Sequence, residues 1–109
     1  MSDSEKTATE EGEQLPGYEL VMIIRPEVAE EQFEATINSV SQFITGKGGT
    51  ITDVERLGKR RLAYPIRHFG EGSYVLTRFR LQPAHNRELE ANLRISEDVL
   101  RHLLVKLDS

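Results

Sequence analysis

Between Val54 and Ile66 the chain reads VERLGKRRLAYPI, and three consecutive cations, Lys59, Arg60 and Arg61, stand inside a segment that otherwise has the composition of a β-strand. Three unpaired charges cannot be buried, because each would lose its hydration with nothing to replace it. This strand must therefore lie where solvent or an anion can reach it. Pro65 adds a second constraint, since it has no N–H to donate and is confined to a sheet edge or an irregularity. A segment with both marks is an edge strand, and the centre of the sheet has to come from elsewhere in the chain.

The segment Tyr18–Arg25 (YELVMIIR) supplies that centre. Its continuous apolar run predicts burial on both faces, and Pro26 ends it. From Ala29 to Lys47 the period changes: Phe33, Ile37, Val40 and Ile44 recur at spacings of four, three and four, one helical stripe. Glu30, Glu31 and Glu34 stand in its first turns, where the helix dipole favours anions. No histidine accompanies them, so they predict a solvated face and not a metal site. Gly46, Gly48 and Gly49 close the helix, one of them in the left-handed cap.

Thr50–Ile66 is long for one strand. Ile51 and Val54 are three apart, which predicts a bulge between them, and Gly58 marks a second irregularity. Beyond it Leu62, Tyr64 and Ile66 are expected to share an apolar face. Arg67–Gly72 (RHFGEG) reads as a loop, and Ser73–Leu81 as the returning strand of an antiparallel hairpin. Val75, Thr77, Phe79 and Leu81 alternate with Tyr74, Leu76, Arg78 and Arg80, so Arg78 and Arg80 are expected to make the uncovered side of the sheet partly cationic. Pro83 opens a shorter helix anchored by Leu89 and Leu93. Ile95–Arg101 predicts a further turn or two, and His102–Leu107 a last strand. The order β-α-β-β-α-β predicts an α+β ferredoxin-like sandwich, a four-stranded antiparallel sheet with two helices on one face.

The net charge of −4 is unevenly placed. Residues 1–17 hold five acids against Lys6, leaving thirteen acids and thirteen bases in residues 18–109. The first segment is polar enough to predict a disordered acidic tail, with the domain spanning 18–109. Within that neutral domain Arg56, Lys59, Arg60, Arg61 and Arg67 fall inside twelve residues, a local basic patch. With no cysteine, disulfides and thiolate metal sites are excluded, and a reducing cytoplasm is the expected setting. No apolar run is long enough for a membrane span, and the amino terminus has no signal-peptide pattern. His68, His85 and His102 lack metal-ligand spacing, and no glycine loop matches a phosphate-binding fingerprint. Neither an enzyme, a cofactor nor a small-molecule substrate is therefore expected.

Four segments, YELVMIIRP, LGKRRLAYPI, GEGSYVL and LRISEDVLRHLLVKL, occur in an order and spacing that resembles the bacterial small-subunit ribosomal protein six family, and they span nearly all of 18–109. The resemblance implies a non-enzymatic scaffold of the small ribosomal subunit. It also implies binding to the central domain of the small-subunit ribosomal RNA as a heterodimer with small-subunit ribosomal protein eighteen. Two departures stand out: Leu57 occupies a position where many members carry tryptophan, and the charged tail many members place after the last strand would lie past Ser109. Lys59, Arg60 and Arg61 are the first candidates for phosphate contact, since arginine's planar fork suits bidentate binding that positions a protein without reading sequence. Arg56, Arg67 and Arg94 are secondary candidates, with a conformational role beside Glu97 and Asp98 open for Arg94. Tyr64, Tyr74, Arg78 and Arg80 are the candidates for contact with the partner protein. The reading from another class is a regulatory or oligomerising ferredoxin-like domain that binds a small ligand or itself.

Overall fold

The computed structural model describes residues 15–107, so the expected acidic tail lies outside the described residues except for Leu15, Pro16 and Gly17. Strand β1 (Gly17–Ile24) is followed by helix α1 (Glu30–Gly46), strands β2 (Thr50–Ile66) and β3 (Phe69–Arg80), a 3-10 turn (Pro83–His85), helix α2 (Asn86–Ile95) and strand β4 (Val99–Leu107). The sheet order is β2-β3-β1-β4, and every neighbouring pair is antiparallel. Strands β1 and β2 both oppose β3 and so run parallel to each other, which no hairpin can join; α1 makes that connection. Helix α2 does the same for β3 and β4, both of which oppose β1. The predicted ferredoxin-like sandwich is the observed one, with β1 and β3 central and β2 at an edge.

The core forms where β1 and β3 turn one face to the helices. Tyr18, Leu20, Met22 and Ile24 meet Val75, Phe79 and Leu81, and above them lie Ile37, Val40 and Ile44 of α1 and Leu89 and Leu93 of α2. The Tyr18 and Phe79 rings, opposite each other in the register, stack with centroids 5.7 Å apart. Each fully buried aliphatic side chain of this kind contributes about 1.5–3 kcal/mol. The helical stripe read from the sequence is the packed one, with Phe33 at its half-buried margin. Gly48 caps α1 at φ +85°: its amide donates to the Thr45 carbonyl at 3.1 Å and the Gly49 amide to that of Ile44 at 2.9 Å, a Schellman ending.

Four sequence expectations need correction. First, β1 is buried on one face only. Val21 and Ile23 lie half-buried on the opposite side, because both helices pack on the same face. Their apolar character serves an open surface. Second, the loop is shorter than the expected Arg67–Gly72, because Phe69–Gly72 belong to β3. The turn is Arg67–His68, closed by the Ile66–Phe69 pair. Third, α2 stops at Ile95 and β4 begins at Val99, so no further helical turns occupy Ile95–Arg101. The Arg25 amide donates to the Asp98 carbonyl at 2.9 Å, which draws the chain into the sheet there.

The fourth correction concerns β2. Its register shifts between Ile51 and Asp53, as the spacing of Ile51 and Val54 predicts, and between Arg56 and Gly58, where Gly58 has φ +89°. A third break was not legible: between Arg61 and Ile66 four residues of β2 oppose Gly70 alone. Alternation cannot survive such an excess, so Leu62 is 8% exposed while Tyr64 is 81% exposed.

Candidate nucleic-acid interface and partner face

The β2–β3 hairpin outruns the sheet. Strand β1 ends with Ile24 opposite Ser73, and from Arg60–Gly72 outward the hairpin continues as a two-stranded arm, in a molecule 54 Å long and 28 Å wide. Lys59 pairs in register with Ser73, Arg60 with Gly72 and Arg61 with Glu71, so all three cations stand at the base of the arm on the outer edge of β2. Residues directly opposite share a face. Arg60 therefore shares the helix-free side with Tyr74, and its guanidinium carbon lies 5.7 Å from the centroid of that ring. Lys59 and Arg61 take the other side. All three are exposed.

Ion pairing divides the cations into two groups. Arg25 pairs with Asp98, Lys47 with Glu88, Arg56 with Glu34, and Arg78 with Glu19, Asp53 and Glu55. Lys59, Arg60, Arg61, Arg67 and Arg94 make no ion pair among the described residues. Arg87, Arg101 and Lys106 likewise make no ion pair among the described residues, but the arm is where unpaired cations lie closest together in the chain, four of them between Lys59 and Arg67.

Arg56 belongs to the other group. Its Nε donates to Glu34 Oε2 at 2.9 Å and its Nη2 to Oε1, joining β2 to α1 on the helix side. That hydrogen bond, aided by the guanidinium charge, holds the Glu34 carboxyl below its ordinary range, and the same contact raises Arg56. Arg94 is exposed at the end of α2, and the conformational role beside Asp98 is filled by Arg25. Arg25 Nε donates to Asp98 Oδ1 and Gln32 Nε2 to Oδ2, both at 2.9 Å.

The helix-free face is polar at one end and apolar at the other. Arg78 shares that face with Glu19 and Asp53, its register partners on β1 and β2. Its Nε lies 3.1 Å from Glu19 Oε2, and its Nη1 3.0 Å from Asp53 Oδ2 and 3.9 Å from Glu55 Oε1. Three carboxylates surround one guanidinium, so this region is acidic, against the cationic surface expected from Arg78 and Arg80. Arg80 Nη1 donates to the Leu15 carbonyl at 2.7 Å and is occupied in anchoring the start of the described chain.

Toward the arm the face becomes apolar. Val21 of β1 lies between Leu76 of β3 and Leu103 of β4, and Ile23 lies beside Tyr74. Val105 and Leu107 continue the β4 row toward the polar end, opposite Glu19 and Gly17, and Leu103, Val105 and Leu107 are exposed at 59%, 41% and 37%. Where Leu62–Ile66 bulges out, the arm and this face enclose a groove of about 460 Å³, lined among others by Ile23, Leu62, Tyr64, Tyr74 and Leu103 with Arg101 at its margin. Of the partner candidates, Tyr64 and Tyr74 meet in this groove, while Arg78 and Arg80 lie at the acidic end. The β4 residues went unnoticed in the sequence because His102–Leu107 has three consecutive apolar residues. Only the register, with Leu103 opposite Val21 and Val105 opposite Glu19, tells the two faces apart.

Among the described residues no cluster of histidine and carboxylate side chains could hold a metal ion, and no helix is long and apolar enough to cross a membrane. Comparison with known proteins places this geometry in a family. The model of ribosomal protein S6 matches residues 17–106. The small ribosomal subunit protein bS6 of Moorella thermoacetica is 44% identical over 91 residues, covering 84% of this chain and 93% of the relative. Its counterpart in Fusobacterium nucleatum is 43% identical, with 84% and 97% covered. The crystal structure of 30S ribosomal protein S6 from Thermotoga maritima superposes with a TM-score of 0.82 at 34% identity, covering 86% of this chain and 89% of that one. The chain belongs to the ribosomal protein S6 family, the non-enzymatic bS6 proteins of the small ribosomal subunit.

Proposed function

We propose that this protein clamps the central domain of the small-subunit ribosomal RNA, and that it does so as a heterodimer with small-subunit ribosomal protein eighteen. The observation that carries the reading is the contrast between Arg25, Arg56 and Arg78, each held by a carboxylate, and Lys59, Arg60 and Arg61, left unpaired on an exposed edge. Unpaired guanidinium groups on an extended edge suit a phosphate backbone, which they engage without reading sequence. Lys59 and Arg61 face one side and Arg60 the other, so a single RNA strand engages one or two of them directly. Few phosphates are neutralised, and the isolated domain binds weakly. Docking of the partner on the apolar end of the helix-free face joins two surfaces into one footprint and supplies the remaining affinity. Tyr64 and Tyr74 meet the partner in the groove beneath the arm. Arg67 and Arg94 extend the RNA-facing charge. Arg56, already bound to Glu34, contributes to it least.

The test is binding of a central-domain RNA fragment by R60A/R61A in the presence of the partner protein. Affinity should fall, and the slope of its logarithm against that of salt concentration should become shallower by about 1–2. An unchanged slope would show that phosphate is bound elsewhere.

A further inference from the structure

Arg67 and His68, at the tip of the arm, hold φ of 49° and 73° and are the non-glycine residues with positive φ among the described residues. With Ile66 opposite Phe69 they form a two-residue hairpin loop, and two positive φ values in succession define the type I′ turn. That turn is ordinarily made from Asn-Gly or Gly-Gly, because a Cβ in the left-handed region crowds the following carbonyl oxygen. Gly70 and Gly72 stand a few residues away, so the arm uses glycine freely yet has none in the turn. Both tip side chains are exposed, and neither makes a hydrogen bond, ion pair or ring contact among the described residues. The fold thus gains nothing visible from two residues that strain it. Departures of this kind, unrewarded by packing, mark positions kept for contact with something else.

We propose that the strained turn is a second RNA-backbone contact, in which the Arg67 guanidinium and a ring N–H of His68 donate to phosphate oxygens beyond the reach of Arg60 and Arg61. The inference rests on the reading of the arm as RNA-binding. Three steps along β3 lead from Phe69 to Gly72, which puts the start of the tip about 10 Å from the Arg60 register position. The charge of the arm favours RNA over a protein: from Lys59 to Gly72 it holds four Lys or Arg residues and a single acid, Glu71. Arginine and a neighbouring ring donor at a projecting tip suit an anion approached end-on, while the base of the arm meets the same strand from the side.

The double variant R67N/H68G installs the preferred turn residues and removes both donors. It should raise the melting temperature by about 5 °C. It should also weaken binding of the central-domain RNA fragment by about three- to tenfold and reduce the salt slope by about 1. R67K, which keeps the charge, should retain most of the affinity. Higher stability with unchanged RNA binding overturns the proposal, and so does a loss confined to partner-protein binding measured without RNA. A melting temperature that does not rise overturns the premise of strain. R60A/R61A is measured in parallel: if it too binds normally, the RNA reading of the whole arm falls, whereas if it alone weakens binding only the tip contact falls.

Discussion

Arg25 and Asp98 are joined twice. The Arg25 amide donates to the Asp98 carbonyl at 2.9 Å, and the guanidinium grips Oδ1 through Nε at 2.9 Å and Nη2 at 2.8 Å. The pair ties the end of β1 to the start of β4, and Gln32 adds the first turns of α1 by donating to Oδ2. Asp98 is the more enclosed partner, its side chain 13% exposed. Substitution D98A should destabilise the protein by about 1–3 kcal/mol in urea unfolding, with the m-value unchanged. D98N keeps an acceptor but loses the charge, and should fall between the two.

Glu34 and Arg56 give a pH signature. The bond from Arg56 lowers the Glu34 carboxyl in the folded protein, so the folded value lies below the unfolded one. The stabilisation is then fully present above the unfolded carboxyl's range and disappears as pH falls through the lower folded value. Wild type and E34Q should therefore differ by a constant small amount in melting temperature at neutral pH, and converge only in acid below the ordinary glutamate range. Convergence beginning near neutrality would show that another group is responsible.

Two glycines at the end of α1 should respond in opposite directions. A Cβ on Gly49 would lie 2.5 Å from the Arg80 carbonyl oxygen and 2.8 Å from Ile44 Cγ2, whereas a Cβ on Gly46 meets nothing within 4 Å. G49A should cost about 1–3 kcal/mol through forced displacement of β3 backbone. G46A should add about 0.4–1 kcal/mol by restricting the unfolded chain. Denaturant melts of the two variants distinguish the cases by sign.

The apolar β4 row should matter to the partner and not to the fold. L103D and V105D change exposed side chains, so stability should stay within about 0.5 kcal/mol. On the proposed heterodimer reading, affinity for small-subunit ribosomal protein eighteen, measured by calorimetry without RNA, should drop at least about tenfold, as expected of a disrupted interface anchor. Retained affinity would place the partner on another surface.

Much of the fold was legible because local and global signals agreed. Phe33, Ile37, Val40 and Ile44 could pack only as a helix face, and Pro65 with three cations could lie only at an edge. The bulges at Ile51–Val54 and Gly58 followed from broken alternation. What stayed hidden depends on tertiary context. Nothing in YELVMII says that Val21 and Ile23 face a surface left open by helices that pack on one side. The loop expected at Arg67–Gly72 was drawn too long, because Arg67 and His68 are not the residues a two-residue turn prefers while Gly70 and Gly72 extended the loop signal. Arg78 looked like free charge because its three carboxylates, Glu19, Asp53 and Glu55, lie on two other strands. Charge read along a chain does not show which cations will be neutralised across a sheet, and that distinction is what separates Arg56 and Arg78 from Arg60 and Arg61.

The register that sets Gly17 opposite both Arg80 and Leu107 also has a consequence in time. β1 emerges first during synthesis, yet both strands that flank it are made later. At about 5–20 residues per second, some 5–20 seconds pass between Gly17 and Leu107. Throughout that interval one or both edges of the most apolar strand lack a neighbour. The nascent chain must then either stay unfolded until its last strand arrives or shelter β1 in the company of other molecules, so the moment of completion is set by the carboxy-terminal residues and not by the domain's own folding speed.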